Sequence, residues 1–225
     1  NEDLQFYSDI TAGLMTVGDL YLYSTEGNPG ERFDSIEIGE RINIFVAGNP
    51  NGCTIDNLAM KFTGAHAVGF GTCEDVTVTN CVFSWLGGSV LQKNGNSAAV
   101  NYGNAVEIYG GCNGYHVENN WMYQIYDTGV THQFSDGTKC TQEGVRYYGN
   151  LIEYCHWGIE FYNNPGDGST PPENKYTRDV ISAYNVLRMG GYGWGSIVRY
   201  RQKSARMYCG ASLSLNEDEH AYYNI

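Results

Sequence analysis

Basic residues are scarce in this chain. Thirteen Lys and Arg stand against 25 Asp and Glu, for a net charge of −12 and a pI near 4.7. A field of that sign repels phosphate, so nucleic acid and an anionic membrane surface are excluded as partners. Charge of either sign is sparse, at 17% of residues, while Gly numbers 29 and Tyr 19. A surface built from Asn, Ser, Thr, Tyr and Gly suits sugar hydroxyls. No apolar run reaches the roughly 18 residues that a membrane-spanning helix needs. No Cys-x-x-Cys spacing occurs, which argues against a zinc site. The seven cysteines are odd in number. Cys53, Cys73, Cys81, Cys112 and Cys155 fall at strands or turns, either as buried thiols packed like small hydrophobes or as one or two disulfides. The chain starts NEDLQF, with neither an initiating Met nor a signal peptide, and is expected to be a processed or excised part of a longer chain.

What the chain has is a repeated phrase. It reads VTVTNCVFSW (76–85), HVENNWMYQI (116–125), VRYYGNLIEY (145–154) and DVISAYNVLR (179–188), with a weaker copy, CTIDNLAMKF, at 53–62. Each copy is an alternating apolar run that reaches an Asn: Asn57, Asn80, Asn120, Asn150 and Asn185. These Asn residues are expected to form an internal ladder that satisfies turn backbone. A second apolar patch and a Gly-centred turn follow. Such units cannot bury an apolar face alone and must stack. The fold class expected is all-β: a right-handed parallel β-helix over 40–195, with an N-terminal β-hairpin region over 1–39 packed on it and an irregular segment over 196–225. At 225 residues the chain is long enough for one domain with a sizeable core.

The Asn positions lie 23, 40, 30 and 35 residues apart. A bare coil needs roughly 20–25 residues, so the longer intervals hold insertions. Composition places these at 92–104, 134–144 and 163–178, all rich in Gly, Asn, Ser or Pro. Each follows a similar phrase (SVLQ, GVTHQ, GIEFYN), so all three are expected to leave from one edge. The Trp residues at 85, 121, 157 and 194 recur at near-equal spacing but sit out of register with the Asn positions, so their period is coincidental. Before the repeats, the stretch about 19–38 reads as a β-hairpin broken at GNPG and feeding a first coil strand at 42–46.

One column can be read in detail. AVGF (67–70), AVEI (105–108), GVTH (129–132) and GIEF (158–161) align, although SVLQ (89–92) competes for the second place. Alternation sends Val68, Val106, Val130 and Ile159 inward, with Phe70, Ile108, His132 and Phe161. Gly69, Glu107, Thr131 and Glu160 then face outward.

The outward acids carry the chemistry. Glu107 and Glu160 share a column two strands apart, so their backbones lie roughly 9–10 Å from each other. Asp127 sits at the corner before the intervening strand. Glycoside hydrolysis needs two carboxylates, about 5–5.5 Å apart for retention or roughly 6.5–9.5 Å apart for inversion. The alternative is that these acids solvate a sheet face or bond a turn. Gln133, outward beside the acids, is a candidate for binding a sugar hydroxyl. His132 is either a core histidine or a substrate contact. Trp157, Trp85, Trp194 and Tyr162 are either stacking platforms for sugar rings or corner packing.

The phrases GNAVEIYGGC, YQIYDTGVTHQ, EYCHWGIEFYN and GGYGWGS resemble the pectate-lyase-like right-handed parallel β-helix superfamily, and within it bacterial β-helix glycoside hydrolases, a group that includes fucosidases and xylanases. The resemblance covers about 40–195. It implies a secreted or cell-surface enzyme acting on an oligo- or polysaccharide without a cofactor, with Asp127 and Glu160 as the acid/base pair and Glu107 in support. The chain is shorter than such enzymes, which carry more coils at both ends. Two rival readings remain. A polysaccharide lyase of the same fold needs a Lys or Arg base and often Ca²⁺; its candidates are Lys93, Lys139 and Arg146, and no Asp-x-Asp cluster is present. A non-catalytic glycan-binding module needs no converging acids.

Overall fold

The computed structural model describes residues 2–8, 19–93, 99–134, 140–163, 175–198, 208–212 and 215–225. It divides into two compact units, one of residues 1–39 and 90–101, the other of residues 40–89 and 102–225. Strands are numbered along the chain.

In the first unit β1 (Phe6–Ser8) pairs antiparallel with β2 (Leu20–Leu22). The hairpin expected over 19–38 is therefore corrected, because the partner of β2 precedes it. The GNPG stretch does not turn between strands; it opens the one-turn helix α1 (Pro29–Arg32). Asn28 caps that helix by accepting the Gly30 N–H at 3.0 Å. Pro29 takes the first helical position, where a missing N–H leaves nothing unpaired. Arg32 is tied to Asp3 at 2.8 Å. A second antiparallel pair joins β9 (Val90–Lys93) to β10 (Ala99–Asn101).

The second unit is built on three parallel sheets, of six, six and five strands. The first sheet holds β3 (Phe45–Ala47), β6 (Val68–Phe70), β11 (Val106–Tyr109), β14 (Thr128–Phe134), β17 (Trp157–Asn163) and β20 (Tyr208–Ser212). The second holds β4 (Asn51–Asp56), β7 (Cys73–Thr79), β12 (Cys112–Glu118), β15 (Cys140–Tyr148), β18 (Lys175–Ala183) and β21 (Leu215–Tyr222). The third holds β5 (Ala59–Lys61), β8 (Val82–Leu86), β13 (Trp121–Ile125), β16 (Leu151–Glu153) and β19 (Val186–Arg188). The chain visits the sheets in turn, and each new strand pairs with the one laid down a circuit earlier. The short helix α2 (Trp194–Val198) follows β19.

The strand alignment read from the sequence holds. Val106 pairs with Val68 and Val130, and Val130 with Ile159, so AVEI and not SVLQ occupies that place. All four side chains are buried. The third sheet adds an inward row of Met60, Phe83, Met122, Ile152 and Leu187, equally buried. Six cysteines, Cys53, Cys73, Cys81, Cys112, Cys140 and Cys155, are free thiols. Burial pushes the Cys155 thiol up to about 12. Among the described residues no helix is long and apolar enough to cross a membrane.

Three further expectations are corrected. The Asn register slips by one. Asn120, Asn150 and Asn185 do form a buried ladder: Asn150 Oδ1 accepts the Asn120 amide N–H at 3.0 Å, and Asn185 Oδ1 accepts that of Asn150 at 3.0 Å. It continues into Asn224, whose Oδ1 accepts the Asn185 N–H at 3.0 Å. The earlier place belongs to Cys81, whose N–H is received by Asn120 Oδ1 at 2.9 Å. Asn57 and Asn80 instead stand in an exposed left-handed corner row with Asn119, Gly149, Tyr184 and Tyr223, whose φ angles run from 52° to 63°. Asn tolerates that region as well as it serves a ladder, so both neighbouring positions attract it.

The insertions also differ from expectation. The 92–104 excursion links β8 of the third sheet to β11 of the first, whereas 134–144 and 163–178 link the first sheet to the second. The first is thus anchored at the N-terminal ends of the first-sheet strands and the others at the C-terminal ends. SVLQ is consumed by the local pairing of β9 with β10. Residues 94–98, 135–139 and 164–174 lie outside the described residues. Finally, the irregular segment expected over 196–225 supplies β20 and β21, which extend the first and second sheets in parallel register. The ladder offered by β18 pairs the backbone of β21 despite its charged sequence (LNEDEHAY), a composition common on edge strands.

Candidate functional site

Outward residues of a sheet normally meet water. On the first sheet three neighbours in one outward row do not: Thr131 is fully buried, Glu160 is 9% exposed, and the Glu107 side chain is 13% exposed. A sheltered carboxylate is costly unless donors surround it. Those donors come from the corner where the chain enters each first-sheet strand. Two places before the inward row stand His66, Asn104, Thr128 and Trp157, one per circuit.

Two side chains of this row each receive a backbone N–H from the next circuit. His66 Nδ1 accepts the Asn104 N–H at 3.0 Å, and Asn104 Oδ1 accepts the Thr128 N–H at 3.0 Å. An occupied Nδ1 fixes the tautomer of His66. Its proton is on Nε2, which lies 3.2 Å from Glu107 Oε1. Burial lowers the His66 pKa to about 4, so at neutral pH this contact is a hydrogen bond from a neutral ring and not an ion pair. Asn104 Nδ2 donates to the other oxygen, Glu107 Oε2, at 2.7 Å.

Burial raises the Glu107 pKa to about 7. The Asn104 amide opposes that rise, and the negative charge of Asp127 adds to it. Asp127 is fixed by its backbone: its carbonyl accepts the His156 N–H at 2.9 Å and the Trp157 N–H at 3.1 Å. One circuit further, Glu160 Oε2 accepts the Thr128 hydroxyl at 3.1 Å and Gln133 Nε2 at 3.1 Å. Gln133 also donates to Thr131 Oγ1 at 2.8 Å. Beyond His66, Tyr102 meets the imidazole edge to face at 4.8 Å, and its hydroxyl receives Arg41 Nε at 3.3 Å.

Of the residues expected to act together, Glu107, Asp127, Glu160 and Gln133 gather on this face and its corner, and Trp157 joins them through its bond to Asp127. Tyr162 is paired with Gln133 in the strand register. Trp194 packs on Tyr126 with ring centroids 4.9 Å apart and donates Nε1 to the Gln124 carbonyl at 2.8 Å, so it braces the corner beside Asp127. Two candidates do not join. Trp85 ends β8 of the third sheet and is exposed there. His132 points into the core, with Nδ1 2.9 Å from the Tyr147 hydroxyl, and burial lowers its pKa to about 4. Strand alternation had already pointed it inward, and the interior leaves no route to a substrate.

Arg146, weighed as a lyase base, lies on β15 of the second sheet with both Asp179 carboxylate oxygens at 2.8 and 2.7 Å. Lys93 belongs to β9 of the first unit, and Lys139 is outside the described residues. No group of three or more His, Cys, Asp or Glu is arranged to hold a metal ion among the described residues.

His66, Asn104, Thr128, Arg41 and Tyr102 are absent from the expectations drawn from the sequence. A signal for three of them was present. The aligned phrases AVGF, AVEI, GVTH and GIEF are each preceded by a residue with a side chain able to hydrogen-bond, His66, Asn104, Thr128 and Trp157. Comparison of the chain with known protein families, characterised proteins and solved structures finds no match.

Proposed function

We propose that the second unit is a right-handed parallel β-helix whose first sheet carries, on its outward face, the active site of a glycoside hydrolase. The observation that carries this reading is Glu107. Its carboxyl is sheltered, held by two donors, raised to about 7 and set beside the charge of Asp127. Near neutral pH such a group is shared between acid and carboxylate, as a proton donor to a glycosidic oxygen must be. Asp127 and Glu160 supply the second carboxylate that hydrolysis requires. This reading assigns Gln133 and Trp157 to holding the sugar. This arrangement shifts the acid role from Asp127 and Glu160 to Glu107. The enzyme belongs to the pectate-lyase-like superfamily in this reading, works outside the cell or at its surface, and needs no cofactor.

A panel of plant and microbial glycans tests it. New reducing ends without the absorbance of an unsaturated uronate are expected, with the rate falling as pH rises past about 7 because Glu107 loses its proton. Asp127→Asn, Glu160→Gln and Glu107→Gln should each cut turnover while the circular dichroism stays unchanged. Binding without cleavage, or full activity in all three variants, sinks the proposal. One observation favours a second reading. Arg41, bonded to Tyr102 beside His66, puts a cation on the far side of the residues that hold Glu107, and a lyase acting on a uronate with Ca²⁺ would use one. An unsaturated product would establish it.

A further inference from the structure

Glu107 and Glu160 stand two strands apart, and hydrogen bonds through Asn104 and Thr128 link them. Asn104 Nδ2 donates to Glu107 Oε2 at 2.7 Å. The other end of the same amide, Oδ1, accepts the Thr128 backbone N–H at 3.0 Å. Thr128 then donates its only hydroxyl proton to Glu160 Oε2 at 3.1 Å. Asn104 and Thr128 are 3% and 0% exposed, so neither exchanges these partners for water. The backbone N–H of Asn104 is committed as well, to His66 Nδ1. A row serving only the fold would end on backbone, as the Asn ladder at the other corner does: Asn120, Asn150 and Asn185 donate their side-chain N–H groups to the Val78, Val117 and Tyr147 carbonyls. This row ends on a carboxyl group at both sides.

We propose that Asn104 and Thr128 are positioning residues that together set the separation and orientation of the Glu107 and Glu160 carboxyl groups. The inference rests on the hydrolase reading, in which that separation governs the reaction geometry. Chemistry specifies both residues. Position 104 must donate and accept with a planar group at once, which Asp and Leu cannot do. Position 128 must donate a hydroxyl while its N–H stays in the ladder, which Ser can do and Val cannot.

Two readouts separate this proposal from the function it rests on. The first needs no substrate: the side-chain carboxyl carbon of Glu107 is followed by NMR as a function of pH. In Asn104→Ala the midpoint should rise by roughly one unit, because a donor to the charged form is lost, and in Asn104→Asp it should rise further. The second is kinetic. Thr128→Val should lower kcat about tenfold or more with little change in KM, and Thr128→Ser should restore it. A Glu107 midpoint that does not move in either Asn104 variant overturns the proposal. So does a Thr128→Val enzyme with unaltered kcat, or a Thr128→Ser enzyme as impaired as Thr128→Val, since bulk and not the hydroxyl would then matter. If the wild-type chain cleaves no glycan while the Glu107 midpoint still responds to Asn104, the hydrolase reading fails and the clamp on Glu107 stands.

Discussion

The first and third sheets share one inward logic, and the outward rows beside their inward residues differ. Inside, Val68, Val106, Val130 and Ile159 of the first sheet and Met60, Phe83, Met122, Ile152 and Leu187 of the third are buried alike. Outside, the third sheet shows an apolar row of Ala59, Val82, Trp121, Leu151 and Val186, with Trp121 43% exposed. The outward row of the first sheet begins at Val46, 75% exposed, and continues through Gly69 into Glu107, Thr131 and Glu160, which are sheltered and hydrogen-bonded. A scaffold that stacks strands needs the inward rows and tolerates apolar residues outside them. A buried carboxyl destabilises the fold unless compensated. The third sheet holds one, Glu153, between Trp121 Nε1 at 2.9 Å and Arg188 Nε at 2.6 Å. Glu107 is met instead by the neutral donors His66 and Asn104 and, among the described residues, by no cation. The contrast therefore separates what the stack requires from what it carries.

The largest expected effect tests that division directly. Glu107→Gln should lower turnover by roughly 10²–10⁴-fold, the usual contribution of a positioned proton donor, whereas Trp121→Ala should leave kcat nearly unchanged. Comparable losses in both variants would erase the distinction between the two faces. Next comes the shared interior. Phe83 is fully buried, and Phe83→Ala should cost about 3–5 kcal/mol in urea unfolding, by lost transfer and a cavity in a packed row. A cost below about 1 kcal/mol would mean the third sheet does not share the core.

Titration sharpens the comparison further. His132 and His66 are held neutral by burial, each with a pKa lowered to about 4. Stability from each is present above the ordinary histidine value of about 6.5 and is lost as pH falls through 4, because only the unfolded chain gains the proton readily. The loss is about 3 kcal/mol per histidine at full extent. His132→Phe should therefore flatten the pH dependence of unfolding between about pH 6.5 and 4, and an unchanged slope would contradict its burial. Glu107 has the opposite sign. Its pKa is raised to about 7, so stability is complete below the ordinary carboxyl range and is lost as pH rises through 7. Glu107→Gln should be more stable than the wild type at pH 8, by up to about 3 kcal/mol, while being far less active. A less stable variant at pH 8 would mean the carboxylate is fully compensated by His66 and Asn104. The smallest effect is on the third face, where Val186→Thr, at a position 37% exposed, should shift stability by no more than about 0.5 kcal/mol.

Much of the stack was legible because its rules are local. Alternation decides which residues of AVEI point inward, while the choice of AVEI over SVLQ as the partner of Val68 and Val130 is made by the strand pairing. The Asn positions were legible only to within one residue. Asn119 and Asn120 stand side by side, one in a left-handed corner and the other in the ladder, and composition does not separate two roles that favour the same side chain. The 92–104 excursion was placed on the wrong connection because SVLQ has the strand-like pattern of a sheet member and spends it on a hairpin. Residues 208–222 were missed because their pairing is supplied by β17 and β18 and not by an apolar pattern of their own.

The sequence by itself determined the repeated strands, the inward rows, and the placing of Glu107 and Glu160 on one outward column, since each depends on neighbours one or two residues away. Only the tertiary structure decided what those acids are. His66 reaches Glu107 across 41 positions of chain (from 66 to 107), Thr128 reaches Glu160 across 32, and the shelter that raises Glu107 to about 7 is assembled from several circuits at once. A carboxyl group takes its pKa from surrounding charge, donors and excluded water, and those exist only when distant circuits have stacked.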